Sequence, residues 1–136
     1  MLRKQLVPGT AAEASWIVKD ADLPSALSED HASAFPPVFA TARMVALMEL
    51  AAARVLLPLL EPGELSVGVS IDARHTAATP AGARVAARAV FCGMEGKFYR
   101  FEVEAFDPGG PIGSAVHDRA IISMERLLLG ARKRID

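Results

Sequence analysis

Glu49 is the only charged side chain between Met44 and Ala53, in a run otherwise built from Val, Ala, Leu and Met. A carboxylate among apolar neighbours is costly unless it is paired or used, because a low dielectric disfavours its charged form. It can attack an electrophilic carbonyl or direct a water, or it can neutralise an arginine, with Arg74 and Arg119 as structural partners. His75 ends a segment that alternates Val67, Val69, Ile71, Ala73 and His75 on one face with Ser66, Gly68, Ser70, Asp72 and Arg74 on the other. That alternation sets an imidazole at the rim of an apolar face, where a general acid or base belongs; a ring capping the Thr76 or Thr79 backbone is the alternative. Thr41 offers a hydroxyl and equally well reads as a helix N-cap. Gly68 lies in mid-strand, where glycine weakens pairing and marks close approach by a ligand or another backbone. His117 and Arg119 share one face of the last strand, and Arg119 can meet an anionic phosphate or a pantetheine amide.

Other chemistries find no support. No metal-ligand spacing links His31, His75 and His117. Cys92 is the only cysteine, with no histidine near it in sequence, which argues against a thiol nucleophile, a disulfide framework and a cysteine metal site. Neither a Gly-x-Ser-x-Gly elbow nor a Walker loop is present. The expected chemistry therefore needs no metal or cofactor. The formal net charge of −1 over 136 residues gives no basic footprint for nucleic acid. Arg132, Lys133 and Arg134 form the one basic cluster and read as a solvated tail. The longest apolar stretch, 44–60, contains Glu49, Arg54 and Pro58 and falls short of a membrane span. Residues 1–10 lack the apolar core of a signal peptide. The default location is the cytoplasm, which a single cysteine suits.

The elements that must position these residues follow from periodicity and punctuation. The length suits one domain over 1–136. A short first strand is expected at 14–19, then an irregular crossing segment at 24–37 that ends in Phe35-Pro36-Pro37. Residues 42–57 contain no Gly, are rich in Ala, Leu and Met, and are bracketed by Thr41 and Pro58. About fifteen residues at ~1.5 Å each make a helix of roughly 22 Å, the width of a small sheet. Arg43 and Arg54 fall on one line of that helix, and Glu49 lies roughly 120–140° away, on the drier side beside small residues such as Ala46 and Ala53. Strands are expected at 66–75, at 83–92 and 97–106 as a hairpin around Gly93-Met94-Glu95-Gly96, and at 112–124 after a turn at 107–111, followed by a polar tail. The order of strand, helix and four antiparallel strands is α+β, one helix covering a sheet of about five strands. A sheet bent around one buried helix is a hot-dog fold, although other one-helix α+β folds share the pattern.

The runs Phe35-Pro36-Pro37-Val38-Phe39-Ala40-Thr41, Met44-Val45-Ala46-Leu47-Met48-Glu49, Leu60-Glu61-Pro62-Gly63-Glu64 and His75-Thr76-Ala77-Ala78-Thr79-Pro80 stand in a telling order. With Ile112-Gly113-Ser114 and His117-Asp118-Arg119-Ala120, they resemble the fluoroacetyl-CoA thioesterase family from about residue 14 to residue 127. The resemblance implies a hot-dog fold, one long central helix wrapped by a curved antiparallel sheet. It implies hydrolysis of a small or medium acyl-CoA to the free acid and coenzyme A. The implied catalytic set is Thr41, Glu49 and His75, with Gly68 supplying a backbone N–H to an oxyanion. Arg119 would hold coenzyme A or shape the site, and Phe35 would belong to a hydrophobic lid. The second aromatic position of that lid is Ala32 here, so the fluorinated substrate is not implied. Hot-dog sheets pair edge to edge, which implies a homodimer with sites at the interface. The rival function is a non-catalytic hot-dog that binds an acyl-CoA or hydrophobic ligand. A hot-dog lyase acting on enoyl-CoA ranks last, since its usual Asp/His pair is not matched.

Overall fold

The glycine-free run after Ala40 folds into α1 (Thr41–Leu56) in the computed structural model, which describes residues 3–30 and 34–136. Met44, Leu47, Met48, Ala51, Val55 and their neighbours form its buried stripe, at the three- and four-residue spacings that put side chains on one face. Pro58 ends it inside a tight turn at Leu57–Leu59, because proline cannot donate the next helical bond. The N-cap is Ala40, and no side chain caps the helix. Thr41 is instead the first helical residue, which corrects its reading as a cap and leaves its hydroxyl available. Ala32 lies outside the described residues.

Five antiparallel strands make the sheet: β1 (Ala11–Ile17), β2 (Glu64–His75), β3 (Arg84–Glu95), β4 (Phe98–Asp107) and β5 (Gly110–Ser123), in the order β1-β3-β4-β5-β2. α1 packs against all five, so the sheet wraps the helix as the hot-dog expectation requires. Val85, Ala87, Ala89 and Phe91 of β3 and Phe101, Val103 and Ala105 of β4 are all buried, the period of two that a one-sided sheet demands. The alanines let the helix backbone approach where larger side chains would hold it off.

β1 runs from Ala11 to Ile17 rather than over 14–19, and the structure departs from the sequence expectations in three further places. In β2, Gly68 pairs with Arg119 and Ser70 with Asp118, so Val69 is an extra residue in a β-bulge. The bulge resets the alternation. Gly68 is directed at Glu49 and His117, Ile71 and Ala73 pack on the core, and His75 reaches Thr41, all on the helix side. Regular alternation had set Gly68 and His75 on opposite faces. The β3–β4 turn is also tighter than expected: β3 continues to Glu95, leaving only Gly96-Lys97 at the tip, with Gly96 at φ +63° as a two-residue hairpin turn favours. Finally, the expected polar tail is a helix, α2 (Met124–Ile135), begun by Ser123 Oγ, which accepts from Arg126 N at 3.3 Å. Glu125 in its first turn and Arg132, Lys133 and Arg134 in its last turn complement the helix dipole. Among the described residues, no helix is long and apolar enough to cross a membrane.

Candidate active site

Thr41, at the start of α1, and His75, at the end of β2, meet directly, with Oγ1 and Nδ1 2.8 Å apart. The ring thus has a side-chain partner as well as its backbone hydrogen bond at Ala77, and neither is the Thr76 or Thr79 backbone of the capping alternative. Several bonds hold the junction. The segment before α1 bonds to the loop after β2 through Phe39 N–H and the Thr79 carbonyl at 2.8 Å. Thr79 is buried, and its hydroxyl donates to Asp107 Oδ2 at 2.7 Å. Thr76 N–H donates to the Ile112 carbonyl at 2.7 Å. Gly113 pairs with His75 across the ladder, and a Cβ there would sit 2.6 Å from both the Arg74 carbonyl oxygen and Met44 Sδ. Only glycine lets the first turn of α1 lie so close. The Phe39 ring stands edge-on to His75, centroids 6.4 Å apart.

A cavity of about 300 Å³ opens over this pair, walled by Pro24, Pro36, Val38 and Phe39. Phe35, the expected lid residue, is half-buried beside Pro36 in sequence, and Pro36 rather than Phe35 supplies the wall. Burial pushes the His75 pKa below the ordinary histidine value, opposed in part by a backbone hydrogen bond at Ala77. The ring is therefore neutral at physiological pH and carries one basic nitrogen.

A second cluster forms around Glu49. Arg119, 5% exposed, donates from Nη1 to Glu49 Oε2 at 3.3 Å, from Nε to Ser66 Oγ at 3.0 Å and from Nη2 to the Ser66 carbonyl at 3.0 Å. Its guanidinium is thus engaged inside the fold and shapes the site around the carboxylate, rather than reaching outward to a phosphate. Arg119, and not Arg74, is the partner of Glu49. The Glu49 side chain is 42% exposed against 7% for Arg119, which corrects the drier position expected for it: it flanks the buried stripe beside the outer strand β2. Gly68 explains itself here. A Cβ at that position would lie 3.0 Å from Glu49 Oε2 and 3.3 Å from His117 Cε1, so the close neighbour is the carboxylate. His117 joins the cluster through Arg119, a role sequence reasoning missed although its spacing of two from Arg119 put both on one face.

Thr41 and Glu49 stand eight positions apart on α1, about 12 Å along the axis. Within one chain, the structure therefore brings Thr41 to His75 and Glu49 to Gly68 and Arg119, but leaves the two groups apart.

The family model for fluoroacetyl-CoA-specific thioesterase matches residues 18–125, a span that includes both clusters. This chain belongs to that family. A fluoroacetyl-CoA thioesterase from Streptantibioticus cattleyicolor is 45% identical over 100 residues, covering 74% of this chain and 72% of that protein. A solved structure of the fluoroacetyl-CoA thioesterase superposes with a TM-score of 0.89 at 36% identity, covering 96% of this chain and 98% of the other. A thioesterase superfamily member from Thermus thermophilus is similar at a TM-score of 0.82 and 29% identity, over 96% of this chain and 93% of its own. For a thioesterase of this family, the two clusters hold complementary chemistry. One offers an anchored carboxylate beside a close-approach glycine, and the other a neutral imidazole with a hydroxyl partner at a cavity.

Proposed function

We propose that this thioesterase hydrolyses small or medium acyl-CoA thioesters to the free acid and coenzyme A, with Glu49, His75 and Thr41 as its catalytic set. The observation that carries the reading is the Thr41–His75 pair at an apolar-walled cavity, complemented by a carboxylate held by Arg119 against Gly68. Glu49 attacks the thioester carbonyl or directs a water to it, and the developing oxyanion accepts from a backbone N–H at Gly68. The neutral His75 ring takes a proton from water and passes it to the departing thiolate, with Thr41 orienting the ring. Water completes the reaction and leaves the acid and free thiol. The reaction belongs in the cytoplasm, where coenzyme A thioesters are made and consumed.

The working unit is a homodimer. β2 is an outer strand of the sheet, and Leu65 and Val69 on it are each 45% exposed, a surface that antiparallel pairing with a second copy would cover. Such pairing sets the Glu49 half of one copy against the His75 half of the other and closes the 12 Å gap that about eight helical residues impose.

Release of free thiol from a panel of acyl-CoAs tests the reaction. We expect turnover by the wild type and loss of at least about 100-fold in Glu49→Gln. Little preference for fluoroacetyl-CoA over acetyl-CoA is expected, because the second aromatic lid position of the family is alanine at position 32 of this sequence, and even a closely packed apolar pocket discriminates one small group by only ~1–3 kcal/mol. No release from any thioester would make this a binding protein. Mixing Glu49→Gln with His75→Ala tests the shared site: random re-pairing restores about a quarter of wild-type activity if sites span two copies, and none if each chain carries a complete site.

A further inference from the structure

His117 has no part in the chemistry above, yet it is buried at 1% exposure and both ring nitrogens are engaged. Nδ1 lies 2.8 Å from the Ser70 carbonyl oxygen, and Nε2 lies 3.2 Å from Arg119 Nη1. Those two partners fix the protonation of the ring. A carbonyl only accepts, so Nδ1 carries the hydrogen; a guanidinium only donates, so Nε2 presents its lone pair. Nη1 is also the nitrogen that reaches Glu49 Oε2 at 3.3 Å, so its two hydrogens divide between the imidazole and the carboxylate. Ser66 holds the other side of the guanidinium through Nε and Nη2.

We propose that His117 is a positioning residue for Glu49: its Nε2 lone pair takes one hydrogen of Arg119 Nη1 and so directs the other at the carboxylate. The proposal rests on Glu49 performing the thioester chemistry. The groups facing the ring agree with a neutral imidazole. Arg119 comes from its own strand, Glu49 from α1, the Ser70 carbonyl from β2, and the Phe101 ring from β4 with centroids 6.4 Å apart. Asp118, adjacent in sequence, is paired with Arg100 at 2.9 Å. Burial is the main influence lowering the His117 pKa; the Ser70 carbonyl opposes it and Arg119 adds to it. A protonated ring would set a second donor and a second positive charge against Nη1 and turn the guanidinium away from Glu49.

Two substitutions separate the ring's nitrogens. His117→Gln carries an amide oxygen out to the neighbourhood of Nε2 and can still accept from Arg119. His117→Asn reaches only as far as Nδ1, so it retains a donor for Ser70 but offers Arg119 nothing. Per folded molecule, we expect His117→Asn to lower kcat by about tenfold with KM changed less than about twofold, since the ring is buried and its bonds go to Arg119 and the Ser70 carbonyl. His117→Gln should recover most of that loss. Equal losses in the two variants, or a loss confined to KM, would overturn the proposal. Nitrogen-15 NMR of the histidine rings in the wild-type protein at neutral pH reads the tautomer without any turnover. A neutral Nδ1–H ring for His117 supports the proposal, and an Nε2–H or doubly protonated ring overturns it. Absence of thiol release by the wild type would count against the thioesterase reading instead, and the tautomer would then decide alone whether His117 holds Arg119.

Discussion

Removing the His75 imidazole leaves Thr41 without its 2.8 Å partner and, in the proposed mechanism, removes the base that relays a proton from water to the leaving thiolate. Because burial lowers the His75 pKa, the wild-type rate should hold below pH 6.5 before the ring protonates and the rate falls on the acid side. We expect His75→Ala to lose about 10²–10⁴-fold in kcat and to flatten that acid limb; full rate with an unchanged profile would remove His75 from the mechanism. Gly68→Ala tests the other cluster by volume alone. The new methyl would meet Glu49 Oε2 at 3.0 Å, and the carboxylate, at the end of a flexible side chain, is the group that yields. Activity should fall sharply while the melting temperature changes little. An active Gly68→Ala enzyme would mean that Glu49 needs no fixed place beside β2.

At the scale of elements, Gly113 marks a close approach of helix and sheet. A methyl there would lie 2.6 Å from the Arg74 carbonyl oxygen and from Met44 Sδ, and backbone cannot move aside as a side-chain tip can. Gly113→Ala should destabilise the protein by about 1–3 kcal/mol, read as a lower urea midpoint; an unchanged midpoint would show slack at the start of α1. Elements governed by local periodicity were legible in the sequence. α1, the pairing of β3 with β4 as a hairpin, and the place of Glu49 as the one charge in an apolar helical run all follow from patterns within a few residues. The bulge at Val69 was not legible, because residues 66–75 alternate without a break and the extra residue is decided by pairing with β5. Thr41 illustrates the same limit: its local chemistry suits a cap, but a histidine 34 residues away claims the hydroxyl. α2 was missed although Met124, Leu127, Leu128, Ala131 and Ile135 recur at helical spacing, because the charged run Arg132-Lys133-Arg134 at the chain's end reads as a solvated tail.

For the whole molecule, the shifted groups that lose protons on folding act in one direction with pH. Burial lowers the pKa values of His75 and His117, so the unfolded chain binds protons that the folded chain refuses. Their contribution is present above the unfolded histidine value and is lost as pH falls toward the folded ones. Asp118, lowered chiefly by its hydrogen bond from Arg100, and Glu64, lowered to about 2 chiefly by its hydrogen bond from Arg3, lose theirs further down, below the ordinary carboxylate range. The melting temperature should therefore fall in two stages on acidification from pH 7, the first beginning near pH 6.5; a rise over that first stage would contradict the burial of the two rings. The spacing along α1 has a genetic consequence as well. If each site takes Glu49 from one copy and His75 from the other, every helix serves both sites of its dimer. A chain carrying Glu49→Gln and His75→Ala together would silence any dimer it joins. Co-expressed in equal amount with the normal chain, it should leave about a quarter of the dimers intact, and the defective allele would behave as dominant rather than recessive.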